Sequence, residues 1–84
     1  MDILDAIRKV TGVSLADMQS SLKSKDRIYA RAIYSKMSRL SRGDLARQMN
    51  KSYNAVTYYW RIYETLYASN SEFKEWADEI EKMI

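Results

Sequence analysis

Apolar residues recur along this chain at three- and four-residue intervals, the spacing that lines one face of an α-helix rather than the alternation of a strand. Over Asp2 to Val10, residues Ile3, Leu4, Ile7 and Val10 form such a stripe, and Gly12 is placed to stop it, which predicts a first helix. Ser14-Leu15-Ala16-Asp17 has the form of an N-cap with an acid three residues on, and Leu15, Met18 and Leu22 follow at helical spacing, so a short second helix is expected. A polar, basic loop from Ser20 to Lys25 leads to a third helix. Asp26 is placed to cap it, Ile28, Ala32, Ile33 and Met37 make its apolar face, and Arg27, Arg31 and Lys36 fall mostly off that face.

Leu40-Ser41 ends the third helix, and Ser41 with Asp44 three residues on starts a fourth, Arg42 to Met49, with Leu45, Ala46 and Met49 inward. Asn50-Lys51-Ser52 is a turn of residues suited to one, and Ser52 caps a long helix beginning at Tyr53. There Val56, Tyr59 or Trp60, Tyr63, Leu66 and Tyr67 take the buried spacing, leaving Tyr53, Asn54, Thr57, Tyr58 and Arg61 on other faces. Ser69-Asn70-Ser71-Glu72 starts a last helix in which Phe73, Trp76, Ala77, Ile80 and Ile84 form one stripe and the acids the opposite side. No repeat or linker interrupts the pattern. The expected fold is all-α, a single domain over residues 1–84 of about five to six helices containing a helix-turn-helix.

Composition narrows the functions open to such a fold. A length of 84 residues fits one small domain with one task. With 46% hydrophobic residues, no proline and only Gly12 and Gly43, the chain is neither fibrous nor low-complexity. The absence of cysteine and histidine removes disulfides, thiol nucleophiles, the common zinc ligand sets and imidazole acid–base catalysis. No Gly-x-x-x-x-Gly-Lys-[Ser/Thr] loop is present, so neither enzyme activity nor a cofactor or small-molecule substrate is expected. Asp26 and Asp44 suit helix caps better than acid–base catalysis. No apolar run approaches the roughly 20 residues that cross a bilayer, and the amphipathic N-terminus lacks the features of a signal peptide; a cytoplasmic protein without a membrane partner is expected.

The charge is partitioned. Residues 1–19 carry a net −1 and residues 62–84 a net −4, whereas residues 20–61 set ten cations against Asp26 and Asp44, a net +8, and the whole chain comes to +3. A basic stretch that contains a short helix, a three-residue turn and a longer helix is the arrangement of a helix-turn-helix DNA reader.

The same residues resemble a known family, the C-terminal DNA-binding domain of the bacterial chromosomal replication initiator DnaA, whose fold belongs with the Trp-repressor-like helix-turn-helix proteins. Thr11-Gly12-Val13-Ser14-Leu15-Ala16-Asp17-Met18 resembles its opening Gly-Val-Ser-Leu-Glu-Asp-Leu, and Lys23-Ser24-Lys25 falls in its basic loop. Ala30-Arg31-Ala32-Ile33 is similar to Ala-Arg-Gln-Ile of its long helix, and Leu40-Ser41 with Asp44-Leu45-Ala46 to Leu-Ser-Leu-Pro-Glu-Ile-Gly. Asn50 through Val56 occupies the slot of the signature Gly-Gly-Arg-Asp-His-Thr-Thr-Val, and the likeness runs roughly from residue 10 to 84. The departures fall where the family reads bases: Lys51 stands for the arginine, Ser52 for the aspartate, Tyr53 for the histidine, and Asn54 and Ala55 for the two threonines. Only Val56 is kept, and about one helical turn is missing between Arg39 and Leu40.

The resemblance implies double-stranded DNA as partner, at replication-initiator-like sites in a bacterial or phage setting, and a nucleoid-associated location. The residue chemistry agrees with such a partner. Ser52 and Asn54 suit phosphates or base edges, with asparagine a fitting bidentate partner for adenine, and Tyr53 suits a phosphate or a thymine methyl. Lys51 at a helix N-terminus favours a phosphate, with Thr57 and Arg61 further along the same side. Lys23 and Lys25 match the family's minor-groove loop, where lysine favours backbone contact. Arg27, Arg31 and Arg42 complete the candidate DNA-binding set, Arg31 being equally suited to a structural ion pair. Tyr58, Tyr59, Trp60, Tyr63 and Tyr67 have the look of a stacking platform for single strands, but their helical spacing reads as core. The alternative function is a protein-interaction module that uses the aromatic and acidic C-terminal helix.

Overall fold

Serine hydroxyls start four of the six helices, and their positions divide the chain. In the computed structural model, which describes residues 1–84, the helices are α1 (Ile3–Thr11), α2 (Leu15–Gln19), α3 (Lys25–Met37), α4 (Arg42–Met49), α5 (Tyr53–Ser69) and α6 (Ser71–Met83), with no strand. Ser14, Ser24, Ser41 and Ser52 each accept the backbone N–H three residues on, and Asn70 does the same for α6. Only Ser14 is answered reciprocally: Asp17 Oδ2 accepts the Ser14 N–H at 3.0 Å. Those bonds, with the Arg27 charge, hold the Asp17 carboxyl below its usual range. Gly12 ends α1 in the left-handed conformation at φ 79°, where a side chain is disfavoured.

Three expectations need correction here. Ser24, not Asp26, caps α3, so Lys25 belongs to the helix and Asp26 lies exposed in its first turn. The second helix stops at Gln19, which leaves Leu22 in the loop at 58% exposure instead of continuing the stripe. Ile84 ends outside α6 at 50% exposure.

The core forms around α3, which packs on all five other helices. Seven consecutive residues of α3, Tyr29 to Ser35, are buried, so this helix has no solvent face in its middle and the amphipathic reading of it fails. Ile7 from α1, Met18 from α2, Leu45 and Met49 from α4, Val56 from α5 and Phe73 and Ile80 from α6 close around it, all fully buried. Each such side chain contributes about 1.5–3 kcal/mol through burial. On the α6 side, Phe73 meets Tyr29 and Tyr63 edge-on at 5.2 and 5.3 Å. Trp60 Nε1 donates to the Ser35 carbonyl at 2.8 Å and ties α5 to the end of α3. No helix is long and apolar enough to cross a membrane.

Candidate nucleic-acid interface

The pair α4 and α5 is joined by Asn50-Lys51-Ser52, and the sharp turn has a local cause. Asn50 takes the left-handed conformation at φ 54°, its N–H bonds back to the end of α4, and the Lys51 N–H reaches the Ala46 carbonyl at 2.9 Å. Ser52 Oγ then accepts the Ala55 N–H at 3.1 Å, which leaves its own O–H free to donate outward. Leu45 and Met49 on one helix and Val56 and Tyr59 on the other are buried, so the inner faces are locked together. The outer face of α5 follows: Tyr53, Asn54, Tyr58 and Arg61 are exposed and Thr57 is half-buried. This face covers the first nine residues of the helix and carries no carboxylate; the first acid of α5 is Glu64.

To one side of that face lies the loop after α2, and here two expected contact residues turn inward. Arg31 is 1% exposed; its Nε donates to the Met18 carbonyl at 2.9 Å and its Nη2 to the Ser20 carbonyl at 2.9 Å. Lys51 Nζ reaches the same Ser20 carbonyl at 2.6 Å. The two cations therefore share one oxygen and close the negative end of α2. Burial, reinforced by the charges of Arg31 and Lys23, pushes the Lys51 ammonium below its ordinary range. The expectation that Arg31 lies off the buried face is thus corrected. The small residues Ala30 and Ala32 on either side of it, with Ser35 one turn on, were the signal that α3 is approached from every side. Between this corner and α5 runs a groove of about 670 Å³, lined by Lys23, Arg31, Lys51, Asn54 and Tyr58 among others.

On the other side, Arg42 at the start of α4 leans across α5. Its Nη1 donates to Thr57 Oγ1 at 2.8 Å, and its guanidinium carbon sits 4.3 Å from the Tyr53 ring centre and 5.3 Å from that of Trp60. Thr57 Oγ1 in turn donates to the Tyr53 carbonyl at 3.3 Å.

The remaining candidates stand elsewhere. Lys25 pairs with Glu72 at 2.8 Å, an interaction that raises its ammonium pKa, and so faces α6. Arg27 is half-buried against Asp17, 3.5 Å away, and Ser24. Lys36 pairs with Glu64, and Arg47 with Asp44 within α4. Of the ten cations in residues 20–61, only Lys23, Arg39 and Arg61 have neither a carboxylate, a carbonyl nor an aromatic ring as partner. The structure thus brings together Lys23, Lys51, Ser52, Tyr53, Asn54, Thr57, Arg61 and Arg42 along the first half of α5, keeps Arg31 buried beside the groove with its donors turned to carbonyls, and leaves Lys25 and Arg27 apart from this face.

Reading the aromatic residues as a set missed Tyr58, which is 53% exposed beside Asn54; helical phase alone places it outward. Tyr59 and Tyr63 are core, while Trp60 and Tyr67 are half-buried. On α6, Glu75, Glu79 and Glu81 are exposed and have no cation in hydrogen-bonding reach. No group of three or more metal-ligating side chains is placed to hold an ion. No family model matches the chain, and no curated protein or solved structure does either.

Proposed function

We propose that this chain binds double-stranded DNA by laying the outer face of α5 in the major groove, with Lys23 and Arg61 on phosphates at either side. The observation that carries the reading is the composition of that face. Tyr53, Asn54, Thr57, Tyr58 and Arg61 offer a base-edge amide, hydroxyls, rings and one cation along the N-terminal half of a 17-residue helix, with Tyr53 and Asn54 at its positive end and no carboxylate to repel a phosphate. Lys51 supports the turn and its positive charge adds to the field, while Ser52 joins Lys23 and Arg61 in direct phosphate contact. Asn54 is the bidentate adenine reader and Tyr53 the contact to a thymine methyl or phosphate. The likeness to the initiator family suggests initiator-like sites. With no phosphate-binding loop of its own, such a module would compete for or mark those sites rather than open an origin.

The test is fluorescence anisotropy of the protein against a duplex carrying the initiator's recognition box and a scrambled duplex, each at low and near-physiological salt. Binding that weakens steeply with salt supports the reading, and preference for the box supports the initiator-like site. Equal, salt-sensitive binding removes the box and keeps DNA. No binding to either duplex at low salt removes DNA. A protein-partner module through α6 then takes its place, a reading favoured by the unpaired acids on that helix and by the inward engagement of Arg31 and Lys51.

A further inference from the structure

We propose that Arg42 is a positioning residue: it holds the Tyr53 ring and the Thr57 hydroxyl in one arrangement and so sets the sequence selectivity of α5, rather than serving as a phosphate contact. This rests on the DNA reading above. Three observations carry it. The guanidinium lies between two rings that are two helical turns apart on α5, 4.3 Å from Tyr53 and 5.3 Å from Trp60, with its Nη1 on Thr57 midway between them. Its Nε is buried without a hydrogen-bond partner, so the side chain is drawn in against α5 and not extended to solvent. Tyr53 is otherwise 53% exposed and makes no side-chain hydrogen bond; the Arg42 stack is what restrains its ring.

The physics favours a lock of this kind. An exposed tyrosine in the first turn of a helix samples more than one staggered rotamer, and a base contact made by a mobile ring loses discrimination to the cost of ordering it. A planar cation on the ring face removes that freedom before DNA arrives. Lysine cannot substitute, because a compact ammonium on a flexible stem neither stacks flat on a ring nor holds a second hydrogen bond in fixed geometry. The first helix of the pair thereby acts on sequence choice through Tyr53 and Thr57.

The experiment starts by selecting a preferred duplex for the wild-type protein from a randomised pool. Two quantities are then measured for wild type, Arg42→Lys and Arg42→Gln: the affinity ratio of preferred to scrambled duplex, and the slope of affinity against salt on a logarithmic scale. Both variants are expected to lose about tenfold in the ratio, the size of one base contact, with the slope unchanged even in Arg42→Gln. A slope reduced by about 0.9 in Arg42→Gln with the ratio intact makes Arg42 a phosphate contact and overturns the proposal. If Arg42→Gln fails to fold, Arg42→Lys decides by its ratio alone. Wild-type binding without any selectivity overturns this inference and spares the DNA reading; no duplex binding overturns both. NMR reads the clamp without DNA: the Arg42 side-chain protons are expected upfield, and Tyr53→Leu moves them part of the way back, the remaining shift coming from the Trp60 ring. Unshifted protons in wild type overturn the proposal.

Discussion

Two pairs of cations from the same basic stretch have opposite fates. Arg31 and Lys51 turn inward and share the Ser20 carbonyl at the end of α2, whereas Lys23 and Arg61 stand in solvent with no partner. The first pair holds the loop, the turn and α3 in register; the second is free to meet a polyanion. A net charge of +8 over residues 20–61 therefore overstates what a phosphate would find, since most of those cations already have a partner inside the molecule. The exposed ion pairs among them, such as Lys25 with Glu72, are weak enough to exchange, but the inward pair is not.

Breaking the inward pair should have the largest effect. Arg31→Met removes a buried guanidinium, leaves the Met18 carbonyl without its side-chain donor and leaves the Ser20 carbonyl to Lys51 alone, at an expected cost of about 3 kcal/mol in urea unfolding. A loss under about 0.5 kcal/mol would mean that the side chain is not engaged as described.

Lys51→Met should cost less, about 1 kcal/mol, because losing the bonds to Gln19 and Ser20 is offset by relief from the neighbouring Arg31 charge. The salt dependence of DNA binding should barely change in this variant. The sign of its pH effect also follows. With the folded pKa lowered, the folded state holds fewer protons than the unfolded one up to the ordinary value of 10.5. Stability referred to Lys51→Met therefore rises as pH climbs through that window.

For the outward pair the expectation is reversed. Lys23→Ala and Arg61→Ala should leave stability within about 0.5 kcal/mol, and each should reduce the salt slope of duplex binding by about 0.9. An unchanged slope in both variants would remove the distinction between the pairs as far as DNA is concerned.

The smallest effect belongs to the phenol of a largely buried tyrosine away from both pairs. Burial, with the nearby Tyr67 phenol and acids, raises the Tyr63 phenol to about 12 from an ordinary 10.0. The folded state then keeps a proton that the unfolded chain releases, so stability is lost as pH rises from about 10 towards 12. Tyr63→Phe should match wild type near neutral pH and unfold less readily in that alkaline range; equal alkaline sensitivity would show that the phenol is not held protonated.

Much of the fold was legible because it is written in local chemistry. Ser14 with Asp17, Ser41, Ser52 and Gly12 act within three or four residues, so the borders they set do not depend on what packs above them. Asp26 was misread for the same reason inverted: Ser24 and Asp26 both suit a helix start, and only the path of the loop chose between them. The outer face of α5 was also legible, since Val56, Tyr59 and Tyr63 fix its phase and put Tyr53, Asn54, Thr57, Tyr58 and Arg61 opposite. Arg31 was not. Periodicity assumes one wet face, and α3 has none in its middle because five helices surround it.

By itself, then, the sequence determined the six helices, the turn at Asn50 and the residues that α5 shows to solvent, all consequences of caps, backbone sterics and helical phase. Only the tertiary structure decided which cations remain free. A positive side chain is long enough to reach a carbonyl, a carboxylate or a ring on another helix, and the choice among them depends on neighbours thirteen residues away for Arg31 and thirty-one for Lys51, beyond any local rule.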